Sequence, residues 1–286
     1  MVVPSTVKLT RHGQGDLGAA DWGKEGDGLY ASARHLWATA IVRFRQFERL
    51  EDIRIIRKII NRHTIINRSF PRASMLLIGY CVEMYLKGGL TKLLIGCADD
   101  VFRSTLKSYS HDLEKLAKDL IPDLNKTQRS DLRSLSKLVL NDARYPVEAN
   151  SREEYVKLSN KRASTIHNGT TFRRYCQLAK HLRARIALID ADSNDPCSTS
   201  HWRVDVDGYL CYRYGGHVLP RMTYRRCTSA DLTEEVTYEE VLTVIKNAGL
   251  LLPGAIETYA IYADQVKNGK RMLKKLTART TVLRKP

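Results

Sequence analysis

The sequence predicts a mainly α-helical protein, an antiparallel helical bundle, followed by a small α+β region. Three observations carry this expectation. Apolar residues from Leu29 onward recur at three- and four-residue intervals, as in Leu36, Trp37, Ala40, Ile41 and Phe44, the period of helices that bury one face. After Asp190 the texture changes. Trp202-Arg203-Val204-Asp205-Val206 alternates, Asp207-Gly208 follows, and Tyr209 to Tyr214 answers it, which reads as a tight hairpin. Within that second region Thr237-x-x-Glu240 forms a capping box, so a helix follows there. The expected division is a poorly ordered arm over 1–28, a helical domain over 29–192, and a small α+β domain over 193–286 with a basic tail.

Taken in order, the arm is rich in Gly and Asp and lacks apolar periodicity. A long helix starts near Leu29 and continues into Arg54-Ile55-Ile56-Arg57-Lys58-Ile59-Ile60-Asn61-Arg62. Such a stretch is either a face for RNA or a solvated helix surface. Ser69-Phe70-Pro71 is expected to open the next helix, because proline fits a first turn. That helix carries Glu83 and Lys87 at the spacing of a helical ion pair. Its Gly88-Gly89 marks a loosened end or a close packing contact. Ser110 is expected to cap the helix that Pro122 stops at Leu120. Another helix runs from Thr127 to Leu140, and Asn150 or Ser151 caps the last helix of the domain. Beyond the hairpin, Pro220 interrupts a run from Val218 to Arg226 and predicts an edge strand. A final helix is expected from about Pro253 into the basic tail, Lys267 to Lys285.

Composition bounds the function. The chain has 286 residues, 43% hydrophobic and 27% charged, consistent with a globular protein that has a real core. The longest apolar runs, such as Met75 to Val82, are too short to span a bilayer, and no secretory signal is visible at the N-terminus. The expected location is cytoplasmic, without membrane association. Six cysteines occur without a Cys-x-x-Cys pair, so no zinc knuckle, metal site or cofactor is expected. The formal net charge is +16, and arginine outnumbers lysine. A surplus of guanidinium groups suits bidentate contact with phosphate, which makes RNA or another nucleic acid the expected partner.

Three short signatures fall in order between Gly79 and Pro146. They are Gly79-Tyr80-Cys81-Val82-Glu83-Met84-Tyr85-Leu86-Lys87, Ser110-His111-Asp112-Leu113, and Asn141-Asp142-Ala143-Arg144-Tyr145-Pro146. Together they resemble the HEPN superfamily, over about residues 29 to 190. The resemblance implies a small helical domain of the kind found in toxins, defence proteins and nucleotide-associated modules. It implies one of two functions. The first is a metal-independent endoribonuclease of the toxin or phage-defence kind, leaving a 2′,3′-cyclic phosphate. The alternative is a non-catalytic module that binds nucleotide, nucleic acid or a partner, or an adaptor in a defence complex. The partners implied are a second copy, a cognate antitoxin or a nucleotidyltransferase.

Family nucleases carry Arg, four to six residues, then His. Lys161-Arg162-Ala163-Ser164-Thr165-Ile166-His167-Asn168-Gly169 looks like that motif, with Ala163 where Asn or Asp is usual. Arg162 and His167 are therefore the catalytic candidates, the imidazole as proton acceptor and the guanidinium as transition-state cation. Five residues apart on one helix is about 140° around its axis, so a composite site in a homodimer is expected. Arg174 and His181 share a helix face and form the secondary candidate pair. Glu83, Lys87, His111, Arg144 and Tyr145 are candidates for nucleotide or partner binding. In the second region Arg203, Arg213, Tyr214, Arg225 and Arg226 mix cations with aromatic rings. That mixture either stacks bases and grips phosphates or packs as an ordinary core.

Overall fold

In a computed structural model, residues 8–142, 147–227, 235–250, 256–267 and 270–277 are described. Among them the protein is mainly α-helical with a C-terminal α+β region. Arg144, Tyr145 and Pro146 lie outside the described residues. So do part of the expected tail and Pro253, the residue near which the final helix was expected to begin.

Helices α1 (Ala19–Glu48) and α2 (Ile53–Leu93) form a long hairpin. They are followed by α3 (Asp99–Tyr109), α4 (Leu113–Leu120), α5 (Lys126–Lys137) and a π-helical turn, Leu138–Asp142. Helices α6 (Arg152–Ile166) and α7 (Gly169–Leu188) complete the bundle. Leu86, Leu90, Phe102, Leu116, Leu135 and Leu182 lie at its centre. Gly89 sits where α2 meets α4 and α7: a Cβ there would lie 2.8 Å from Leu120 and 3.3 Å from Ile186. The glycine pair marks close packing, not a helix end.

Strands β1 (Ser198–Arg203), β2 (Tyr209–Tyr214), β3 (Arg221–Arg225), β4 (Ala260–Lys267) and β5 (Lys270–Lys275) form one sheet in that order. All neighbours are antiparallel except β3 and β4, which run parallel and are joined through α8 (Tyr238–Asn247), the crossover a parallel pair needs. The central strands β2 and β3 are buried on both faces. Tyr209 and Cys211 turn into the helical core, whereas Leu210 and Tyr212 of the same strand pack with Val241 and Ile245 of α8. The period-two alternation of strand side chains thus ties the two regions together.

Several expectations are corrected here. The arm is ordered from residue 8: Leu9 is 1% exposed, and its N–H donates to Cys97 O at 2.9 Å. Helix α1 begins at Ala19, ten residues before the apolar stripe. Pro71 does not open a helix but lies buried inside α2. Its missing amide leaves the carbonyl of Asn67 without a helical donor, a loss tolerated within a 41-residue helix. Asp112, not Ser110, caps α4, accepting from Lys115 N–H at 3.0 Å. The single helix expected after Ser151 is two helices, α6 capped by Ser151 and α7 capped by Asn168. Strand β3 is central, not an edge. Pro220 precedes it and contributes only its carbonyl, which accepts from Ala260 N–H at 2.8 Å. Beyond residue 255 the expected final helix is replaced by β4 and β5 and a short 3-10 turn, Ile256–Thr258. The edges are β1 and the lysine-rich β5, and in β5 lysine discourages pairing with another chain.

Candidate functional site

The break between α6 and α7 fixes His167. Its N–H donates to Ala163 O at 2.9 Å and closes α6. The next residue, Asn168, accepts from Thr171 N–H at 2.9 Å and starts α7. The junction sets the imidazole against the hairpin. There it lines a cavity of about 330 Å³ with Trp37, Ile41, Phe44, Arg45 and Pro71. The residue is exposed, but partial desolvation of the ring draws its pKa below the ordinary histidine value. Loss of hydration disfavours the charged form. A neutral imidazole that shares a cavity with a guanidinium can accept a proton while the cation holds an anion.

Arg162 lines a different cavity, with Lys137, Asn141 and Thr165. Within one chain the two catalytic candidates are therefore not brought together. Arg45 is the cation that shares the cavity with His167. Of the secondary pair, Arg174 is engaged by Asp131, with Nε 2.8 and 3.0 Å from its two carboxylate oxygens, whereas His181 is exposed on α7.

Glu83, Lys87 and His111 close on one another. Buried Glu83 accepts from Lys87 Nζ at 2.8 Å and lies 3.0 Å from His111 Nδ1. Lys87 also sits 5.3 Å above the Trp22 ring. The trio of binding candidates joins α2 to the turn before α4 and to α1. Arg144 and Tyr145 fall outside the described residues.

The sheet does not present the expected nucleic-acid surface. Arg203 donates to the carbonyls of Asp205 and Val206 at 2.6 and 2.7 Å, bracing the hairpin turn. Arg213 is 2% exposed and donates to Asp190 Oδ1 at 2.9 Å and to the Lys92 and Ile189 carbonyls. Arg225 is 5% exposed, paired with Asp264 and, at 2.5 Å, with Asp100. Arg226 pairs with Glu240, and Tyr214 lies beside the buried Tyr212, with ring centroids 6.3 Å apart. Arg213 and Arg225 thus belong to the core, Tyr214 and Arg226 are half-buried, and Arg203 is exposed but bound to its own turn. Among the described residues one group of potential metal ligands converges: Asp205, Asp207 and Cys227, with ligand atoms within 4.8 Å of one another.

Trp37 and Arg45 were not singled out as functional from the sequence. A usable signal was present, because Trp37, Ile41, Phe44, Arg45 and Glu48 recur on one face of α1 at helical spacing. Comparison with protein-family models, with curated proteins and with solved structures gives no match for this chain.

Proposed function

We propose that this chain is an RNA-directed protein of the HEPN kind that cleaves RNA by acid–base chemistry at His167, without a metal. The imidazole accepts the proton of a ribose 2′-hydroxyl, and the freed oxygen attacks the adjacent phosphorus. The bond to the 5′-oxygen breaks, that oxygen takes a proton from water, and the imidazolium returns its own proton to solvent. The products are a 2′,3′-cyclic phosphate and a 5′-hydroxyl. Arg45 holds the non-bridging oxygens as charge builds on them. The observation that carries this reading is the imidazole, disposed to be neutral by partial desolvation, in one cavity with a guanidinium.

The test is cleavage of total RNA in chelator. His167→Ala should lower the rate at least about 100-fold, the usual size for a general acid or base. Arg45→Lys should also be damaging, because an ammonium does not reproduce the guanidinium fork. DNA, which lacks the attacking hydroxyl, should stay intact. Equal cutting by wild type and His167→Ala would end the proposal.

A second reading is a non-catalytic binding module. It is favoured by the separation of Arg162 and His167 into different cavities. RNA binding with no cleavage under any condition would select it. Both readings include a homodimer, for which Ile53, Ile60 and Ile65 on the hairpin and Tyr155 and Val156 on α6 offer exposed apolar surface. Sedimentation should then give twice the 32.6 kDa chain mass.

A further inference from the structure

A second cavity, of about 590 Å³, adjoins that of His167 and shares Trp37, Ile41 and Arg45 with it. It is a groove between α1 and α7. Arg34 and Arg45 line it from α1, and Arg173 and Lys180 line it from α7. Arg34 to Arg45 is eleven residues (45 − 34), or about 16 Å of helix at the standard rise. No carboxylate lines the groove, and among the described residues none of these four cations takes part in an ion pair. Arg173 reaches only the Gly169 carbonyl and Thr170 Oγ1, at 3.3 and 3.4 Å. One wall is aromatic: Trp37 and Phe172 stack with centroids 4.3 Å apart and planes 11° apart. Uncompensated cations over an aromatic wall form a site for a flat, anionic ligand.

We propose that this groove is a subsite for one unpaired nucleotide of a single strand. Its base lies against the Trp37–Phe172 pair, and the flanking phosphates are held by Arg34, Arg173 and Lys180. The polymer's identity as RNA rests on the function proposed above, but the subsite does not depend on cleavage. Stacking on an aromatic wall inside a cavity requires a base free of its duplex partner, and every base offers a face to stack. Duplex RNA is instead recognised from outside, through its minor groove and backbone. The subsite thus selects single strands and tolerates many sequences. Because neither ring nor cation reads the 2′-hydroxyl, it accepts DNA as well.

The experiment measures binding, by fluorescence polarisation, of a labelled 2′-O-methyl oligonucleotide of about twelve nucleotides, a length within the usual site sizes, that cannot be cleaved. The groove variant is Arg173→Glu with Lys180→Glu, both exposed positions. The control is Arg54→Glu with Lys58→Glu, exposed on the far end of α2 and equal in charge change. The groove variant should bind at least about tenfold more weakly, through lost phosphate contacts, while the control stays close to wild type. The same sequence as a duplex should also bind more weakly, and His167→Ala should bind normally. Equal losses in both charge variants would mean a diffuse field and no subsite, and equally tight duplex binding would overturn the selection of single strands. Binding that passes every arm in a protein that never cuts RNA would remove the cleavage proposal and leave the subsite intact.

Discussion

In the sheet, Arg213 and Arg225 are buried and end on Asp190, Asp264 and Asp100. In the groove between α1 and α7, Arg34, Arg45 and Arg173 are exposed and no carboxylate lines the groove. The residue type is the same, but the surroundings give it opposite roles. A buried guanidinium must have its charge answered inside the protein, so the sheet spends its arginines on cohesion. An exposed guanidinium without a carboxylate partner remains available to a phosphate. Net charge therefore reports how much cation the chain carries and says nothing of where it is free.

The largest test of this contrast is stability. Asp264 is buried and accepts from Arg225, from Arg271 Nη1 at 2.8 Å and from Tyr209 at 3.3 Å. Asp264→Ala should cost about 3–5 kcal/mol, because it leaves buried cations without their counter-charge. Arg173→Ala, in the groove, should stay within about 0.5 kcal/mol of wild type, as surface substitutions do. Urea unfolding reads both, and equal midpoints would erase the distinction.

Salt comes next. If the four cations of the groove each hold one phosphate, binding of a single strand should fall by roughly 50-fold between 50 and 200 mM salt, at a slope of about −0.7 per contact. The groove variant should flatten that slope, and removal of Arg226, which is paired with Glu240, should leave it unchanged. Titrations at several salt concentrations compare the slopes directly.

The smallest effect is on protonation. His167 holds its proton less tightly than a free histidine, because its ring is partly desolvated. The acid limb of the cleavage profile should therefore lie below the ordinary value of 6.5, readable by NMR titration of the ring. The unfolded chain binds this proton more strongly than the folded one. Lowering the pH through that window thus favours unfolding, and the penalty is complete only below the folded pKa. A ring titrating above 6.5 would contradict the apolar surroundings.

Much of this architecture was legible in local chemistry. The Thr237–Glu240 cap and the Glu83–Lys87 pair are short-range features, each with a physical rule acting within a few residues. The hairpin before Tyr209 was legible too, but its loop is the five residues 204–208, not Asp207-Gly208 alone. The failures share one cause. Pro71 inside α2, Pro220 beside a central strand and β4 in a parallel pairing are decided by distant contacts. Lys270 to Lys275 has strong helix formers, and only its pairing with β4 makes it a strand. The proposed site divides in the same way. His167 was singled out by a local motif, but Arg45 lies 122 residues earlier (167 − 45) and joins it only through the fold. The sheet arginines were left between two readings, because alternation of Arg and Tyr reads identically in a buried strand and in an exposed one.

Helix α2 is one element by its hydrogen bonds and two by its anchoring. From Ile53 to Phe70 it buries no residue, and from Pro71 onward it is held deep in the core. The opposing stretch of α1 likewise buries nothing after Ala40. Cooperative opening follows burial more than ladder continuity. The outer hairpin should therefore exchange its amide hydrogens in rapid local excursions, while the turns after Pro71 exchange only with the whole domain. The boundary passes through the wall of the His167 cavity: Phe44 and Asn67 belong to the labile half, Trp37 and Pro71 to the anchored one. Breathing of the hairpin and the width of that cavity's mouth are then a single motion, and a long polymer could enter sideways where a sealed pocket would require threading.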